Sequence, residues 1–292
     1  MKSIKISIFG SDGYTCQIPR IKEGMELLGH KLSDDNPDLI YSNDPKGYED
    51  AVKLKKKYQN AYLILNFLDV PWHIKNIEKF TEIIVNKYFT IADAITAISY
   101  KVQKDLSKFY KKKIDVIYNP VKDVYLDKEI KKNNNFLYVG RANDPIKRIK
   151  LVQDSLIKIK EEEKNIKICG SENPGFGNYL GVISDKDLNK LYNSSKFVLL
   201  PSKAEGIGLS MIEGMICGSI PITCNDNLTA KEFSPEDFIC EPNPESIVNK
   251  INDLNEEYES KRKIALKFGE RYKIQFDKKT VAKNIINIFN SR

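Results

Sequence analysis

Short apolar runs alternate with longer stretches of helical period along almost the whole chain. Residues 4–9, 38–42, 62–67, 94–98 and 114–118 are compact apolar runs of strand length. Between them, 17–29, 46–58, the stretch that ends near Tyr88, and 99–110 carry apolar residues at mixed i+3 and i+4 spacings, which predicts amphipathic helices. Asn119-Pro120 stops the pattern, and residues 121–134 are polar, ending in Lys131-Lys132-Asn133-Asn134-Asn135. The alternation then restarts. Strands are predicted at 135–139, 166–169, 180–183, 197–200 and 220–224, and helices at 147–162, 185–194, 209 to the stop at Gly218, 244–274 and 277–291.

Two successive runs of strand–helix alternation predict an α/β chain with two doubly wound, Rossmann-like domains. The polar stretch divides it into an N-terminal domain, 1–125, a C-terminal domain, 126–275, and a terminal helix, 276–292. In parallel sheets of this kind, ligands bind outside the carboxyl ends of the strands. Two such domains facing each other would share a site in the cleft between them.

Charge and composition narrow the picture. The chain has 292 residues, 41% hydrophobic and 30% charged. No apolar run approaches the roughly 20 residues that span a bilayer. The first apolar stretch reads as a strand, not a leader, so a cytoplasmic protein is expected. Five cysteines with no C-x-x-C spacing fit reduced, buried thiols. Residues 1–132 hold 23 Lys and Arg against 18 Asp and Glu; the remainder holds 24 against 22. The clusters at Lys55–Lys57, 111–113 and 131–132 read either as solvated helix faces or as a first domain that rests peripherally on an anionic membrane surface or a phosphorylated acceptor. With no helix-turn-helix, zinc-finger or RRM signature and no single basic stripe, nucleic acid is not an expected partner.

Chemistry concentrates in two stretches. In the first, the strand at 197–200 is followed by Pro201, a polar loop with Glu205, Gly206, Ile207 and Gly208, and a helix that starts at Leu209 and carries Glu213. Glycines at a helix N-terminus let backbone approach an anion closely. In the second, the strand at 135–139 ends in Gly140-Arg141, with Lys147 six residues on. Arg presents a planar fork to phosphate oxygens and Lys a point charge. A cation at a helix start opposes the helix dipole, which points to a different partner. Asp185-Lys186-Asp187 has the D-x-D form of some metal sites, but Ser184 with Asp187 three residues later is better explained as a helix cap. No metal or cofactor is expected.

Together, FLYVGRANDPIKRIKLV at 136–152, GVISDKDLNKLYNSSKFVLLPSKAEGIGLSMIEGMICGSIPITC at 181–224, and the Ala97-Ile98-Ser99 and Val116-Ile117-Tyr118-Asn119-Pro120 segments resemble the retaining, family-four nucleotide-sugar glycosyltransferases of the GT-B fold. The resemblance is strong over 136–225 and loose over 1–90. It implies that Arg141 and Lys147 neutralise the donor diphosphate, that Glu213 accepts from the ribose hydroxyls, and that Glu205 lies at the donor sugar. Backbone amides from Gly206 through Leu209 would meet phosphate or sugar oxygens. Gly10 and Gly13 would form the first-domain loop that touches the donor, and Gly29-His30 matches a turn common in the family. The last helix would cross back to the first domain.

The implied reaction is transfer of a hexose from a UDP- or GDP-sugar to a glycan or glycolipid acceptor, without a metal. On the acceptor side many relatives carry a histidine after the third strand. This chain has Asn66, Asp69, Trp72 and His73 in that region, and Asp69 reads either as a base for the acceptor hydroxyl or as a loop cap. The departure leaves two rivals open: a non-catalytic sugar-nucleotide-binding protein and a sugar phosphorylase of the same fold.

Overall fold

The computed structural model describes residues 2–11, 17–68, 77–159 and 165–292. The chain divides into two compact units, Met1–Lys122 with Gln275–Arg292, and Asp123–Ile274.

The first unit is built on a six-stranded parallel sheet. Its strands are β1 Lys5–Phe9, β2 Lys31–Leu32, β3 Leu39–Ser42, β4 Tyr62–Phe67, β5 Ala94–Ala97 and β6 Ile114–Val116, in the spatial order β2-β1-β3-β4-β5-β6. Helices α1 Gln17–Leu27, α2 Tyr48–Lys57, α3 Ile77–Ile84 and α4 Tyr100–Leu106 connect them. Every residue of β3 is buried, as a strand covered on both faces requires. Ser99 caps α4, accepting from the Val102 N–H at 3.2 Å. His30, after Gly29, is buried, and its Nδ1 accepts from the Ile4 amide at 3.4 Å.

The second unit repeats the plan. Strands β7 Asn134–Val139, β8 Ile166–Cys169, β9 Asn178–Gly181, β10 Ser195–Leu200, β11 Ile220–Cys224 and β12 Ile239–Cys240 pair in the parallel order β12-β11-β10-β7-β8-β9. Around them lie α5 Ile149–Ile157, α6 Asp185–Ser194, α7 Leu209–Ile216, α8 Leu228–Phe233, α9 Pro244–Glu256 and α10 Tyr258–Gln275. Helix α7 sits close on its sheet because Gly214 faces Val198; a Cβ there would lie 2.9 Å from Val198 Cγ2. Cys169, Cys217, Cys224 and Cys240 are free and buried.

The terminal helix α11, Lys278–Asn290, belongs to the first unit. Its Val281, Ala282, Ile285, Ile286 and Phe289 join Ile6, Ile8, Ile18 and Ile21 in one apolar core. Gly24 on α1 is what admits it: a Cβ there would stand 2.3 Å from the Lys278 carbonyl oxygen.

The two doubly wound sheets bear out the expected fold class. Some boundaries differ. The single helix expected over 244–274 is two, broken at Glu257, where the backbone leaves helical geometry. The strand expected over 180–183 runs Asn178–Gly181 instead and ends where Gly181 takes a positive φ of 71°. Helix α8 and the two-residue strands β2 and β12 have no counterpart among the predicted elements.

Candidate active site

Strand order decides where a ligand can sit. In the second unit the strands run 3-2-1-4-5-6 counted from β7, so the chain reverses direction across the sheet between β7 and β10. The crevice beyond such a switch point is where open α/β sheets bind ligands. The segments leaving β7 and β10 there carry Gly140, Arg141 and Lys147 on one side and Glu205 through Leu209 on the other.

The turn after β7 is tightly specified. Gly140 lies over the Tyr138 ring, where a Cβ would meet the phenol oxygen at 3.2 Å, and Gly170 presses on it so closely that a Cβ there would fall 2.0 Å from the Gly140 carbonyl oxygen. Asp144 then ties the turn: one carboxylate oxygen takes the Ile146 N–H at 3.1 Å and the other takes the Arg141 guanidinium at 2.6 Å. A 3-10 turn, Pro145–Lys147, follows and delivers Lys147. Arg141 is exposed, while Lys147 is mostly covered.

Across the switch point, Lys147 Nζ donates to Glu205 Oε1 at 2.6 Å. The Glu205 side chain is 12% exposed and the Lys147 side chain 19%, so the pair works at reduced dielectric. The loop that holds Glu205 is fixed by backbone and side-chain bonds. Lys203 N–H donates to the Ile146 carbonyl at 2.9 Å, and Thr229 Oγ1 donates to the Glu205 carbonyl at 2.5 Å. Gly208 is the N-cap of α7 in the left-handed region, φ 79°, which a side-chain-bearing residue rarely adopts, and no side chain caps the helix there. Gly206 and Leu209 are half-buried, and Ile207 is buried.

Glu213, one turn into α7, is 9% exposed and accepts from the Tyr192 hydroxyl at 3.0 Å. Burial and the neighbouring Glu213 carboxylate push the Tyr192 phenol well above its ordinary pKa, so it remains a donor. The structure thus gathers Gly140, Arg141, Lys147, Glu205 and the 206–209 loop at one strand-end crevice, with Glu213 fixed one turn behind.

Asp187 is occupied otherwise. Its N–H donates to Ser184 Oγ at 3.2 Å as the cap of α6, and its carboxylate takes Lys190 at 2.7 Å.

The first unit's switch point lies between β1 and β3. Gly10, with φ 146°, and Ser11 leave β1 there. The buried Asp44 carboxylate holds them, accepting from Ser11 N–H at 2.7 Å and Ser11 Oγ at 2.8 Å. Gly13, Asp69, Trp72 and His73 lie outside the described residues. Asn66 is fully buried: its Nδ2 donates to Asn43 Oδ1 at 3.1 Å and its Oδ1 accepts from Thr96 Oγ1 at 2.8 Å. It is a framework residue of the sheet, spent on its neighbours.

Sequence reasoning missed four residues: Asp144, Arg148, Tyr192 and Asp226. Arg148 forms a forked ion pair with Asp226, at 2.9 and 2.5 Å, beside this crevice. Only Asp144 had a readable signal, an Asp before Pro at a turn start.

Comparison with known proteins bears on the family and the fold. A family model described as glycosyl transferases group 1 matches residues 177–270. O-antigen chain mannosyltransferase B of Escherichia coli is 28% identical over 116 residues, covering 39% of this chain and 30% of that protein. An uncharacterized glycosyltransferase of Methanocaldococcus jannaschii is 27% identical over 230 residues, covering 65% of this chain and 61% of the other. The chain therefore matches less than two thirds of the length of either relative. Among solved structures, Anabaena HepE in complex with UDP and glucose superposes with a TM-score of 0.78 at 16% identity, over 99% of this chain and all of that one. The chain has the GT-B fold, and its residues 177–270 match the family model of the group 1 glycosyl transferases.

Proposed function

We propose that the protein is a retaining glycosyltransferase that moves a hexose from a nucleoside-diphosphate sugar, UDP- or GDP-linked, to a glycan or glycolipid acceptor in surface-polysaccharide or glycoconjugate synthesis. The observation that carries this reading is the Lys147–Glu205 pair, 2.6 Å apart at the β7/β10 switch point and beside the glycine-started α7. It puts a cation, a carboxylate and a helix N-terminus within one crevice. The relatives' printed activities and the UDP and glucose held by HepE support the same substrate class.

In this reading the donor diphosphate lies against Lys147 and Arg141. Lys147 has three N–H donors and gives one to Glu205, so others face the phosphate. As the bond between the sugar C1 and the diphosphate oxygen breaks, negative charge grows on the leaving group. The two cations stabilise that charge more than the ground state, which is the condition for catalysis. They supply the charge a metal would otherwise bring, so transfer is expected to proceed without one. The acceptor hydroxyl attacks C1 from the face the diphosphate leaves, its proton passing to the departing phosphate oxygen, and configuration is retained. Glu205 holds a sugar hydroxyl, and Glu213, oriented by Tyr192, holds the ribose. Gly10 and Gly13 are assigned to donor binding, and Asp69 to the acceptor side, where it orients the hydroxyl whose proton the departing phosphate oxygen takes. The protein works from the cytoplasmic side, in peripheral contact with the membrane that carries a lipid-linked acceptor.

A thermal-shift screen against UDP-, GDP- and ADP-sugars tests the binding half. One nucleotide family should stabilise the wild type and fail to stabilise Glu213→Ala; no stabilisation by any nucleotide overturns the reading. Proton NMR of the first-formed product then reads the anomeric configuration, and transfer that collapses in excess EDTA would overturn the metal-independent route.

A further inference from the structure

We propose that Arg148 and Asp226 are positioning residues for donor binding: their forked ion pair holds a left-handed turn that aims Lys147 at the crevice. The inference rests on the reading of Lys147 and Glu205 as donor contacts.

Arg148 has φ 49° and ψ 42°, the left-handed region. Residues with a Cβ populate it at a cost of roughly five- to thirtyfold in equilibrium. Glycine would enter it freely, so the chain uses a side-chain-bearing residue where the backbone asks for none. The conformation is needed because two elements meet at this residue. The 3-10 turn Pro145–Lys147 closes there, with Arg148 N–H bonded to the Pro145 carbonyl at 3.3 Å, and α5 starts at the next residue. If Arg148 relaxed to negative φ, the direction of the turn carrying Lys147 would change.

What holds Arg148 is its own side chain. Both guanidinium nitrogens reach the Asp226 carboxylate, at 2.9 and 2.5 Å, and one also faces the Pro201 carbonyl at 3.5 Å. Asp226 follows β11, and Pro201 follows β10 in the loop that leads to Glu205. One side chain therefore crosses three strand-end loops: its own after β7, that after β10 and that after β11. A bidentate fork fixes direction as well as distance, and strain held by such surroundings is characteristic of working sites.

The test separates backbone from side chain. Asp226→Ala removes the partner and leaves the strained backbone, and Arg148→Ala removes the fork and keeps a Cβ in the left-handed turn. Each should weaken affinity for the stabilising nucleotide-sugar by about five- to thirtyfold. Arg148→Gly loses the fork as well, but glycine keeps the turn, so affinity should stay within about threefold of wild type. The double variant Arg148→Gly/Asp226→Ala should recover the affinity that Asp226→Ala loses. Calorimetric affinity is the readout, with the melting temperature of the free protein recorded alongside. A role limited to stability would lower the melting temperature of both Asp226→Ala proteins and leave affinity untouched, which overturns the inference. So does an Arg148→Gly that binds as poorly as Arg148→Ala, since Arg148 would then be a direct ligand contact. A wild type that binds no nucleotide sinks the glycosyl-transfer reading, and the inference with it.

Discussion

The two units solve the same topological problem with opposite chemistry at their switch points. Beyond β7 and β10 the crevice is built from ion pairs: Lys147 with Glu205, Arg141 with Asp144 and Arg148 with Asp226. Beyond β1 and β3 and along the neighbouring strand ends, the polar groups are mostly neutral and spent on one another. Asn66 bonds Asn43 and Thr96, Tyr41 bonds Asn43, and Tyr48 bonds the Asn66 carbonyl. Among the described residues Asp44 is the charged exception, and backbone amides and Ser11 occupy it. Paired cations retain unused donors and can take a further anion, whereas a saturated neutral network offers nothing without breaking itself. In the proposed reading, charge neutralisation of a diphosphate falls to the second unit, and the described strand ends of the first unit serve as a rigid floor.

The sharpest way to break that assignment is to remove Lys147. Lys147→Ala should reduce transfer about 100- to 1,000-fold, the usual effect of losing one donor aimed at developing charge. Asp44→Asn, in the other unit, should act chiefly on stability. Single-turnover rates with matched melting curves measure both, and the reverse ranking would place the charge chemistry in the first unit.

Away from the switch point, one half-buried cation is held by backbone carbonyls. Lys132 donates to the Tyr192 carbonyl at 3.1 Å and the Cys217 carbonyl at 2.8 Å. Burial, then the nearby Arg262, lowers its pKa from 10.5 to about 8, against a smaller opposing pull from Asp127. Between about pH 8 and 10.5 the unfolded chain keeps a proton that the folded chain has released, so this group's contribution to stability rises with pH. The wild-type stability relative to Lys132→Met should therefore climb across that window, by at most about 3 kcal/mol, and stay flat below pH 7. Urea unfolding at stepped pH checks it. A difference that falls with pH would mean that the ammonium is stabilised in place.

The neutral network should answer to stability alone. Asn66→Leu leaves Asn43 and Thr96 without their buried partner and should cost roughly 2 kcal/mol. Affinity for the donor should be unchanged. Lost affinity at full stability would show that this floor reaches the ligand.

What could be read from the chain follows from how local each signal is. The strand at 197–200 is a continuous apolar run, and 62–67 is one but for Asn66, because both sheet faces are covered, so their existence was readable. The edge strands Lys31–Leu32 and Ile239–Cys240 were not, since two residues carry no period. The helix break at Glu257 was hidden by a periodicity that continues across it. Within the site, Glu205, Gly208 and Glu213 lie in one motif and were readable together. The contact of Lys147 with Glu205 spans 58 residues and exists only through the strand order. Arg148 runs against residue-type reasoning altogether, because its left-handed backbone would ordinarily predict Gly or Asn.

The smallest effect makes the finest comparison, between two buried phenols. Tyr48, fully buried in the first unit, donates to the Asn66 carbonyl at 2.6 Å. Tyr138, equally buried on β7 beneath Gly140, has a hydroxyl with no hydrogen-bond partner among the described residues. Replacing each by Phe deletes one oxygen. At Tyr48 that strands a buried carbonyl and should cost about 1 kcal/mol. At Tyr138 it removes a polar atom that was already desolvated without compensation, so the free protein should be unchanged or slightly more stable. Chemical denaturation of the two variants in parallel decides it. Equal destabilisation would mean that the Tyr138 hydroxyl is hydrated in solution through a buried water, and that the second unit's floor is as fully satisfied as the first.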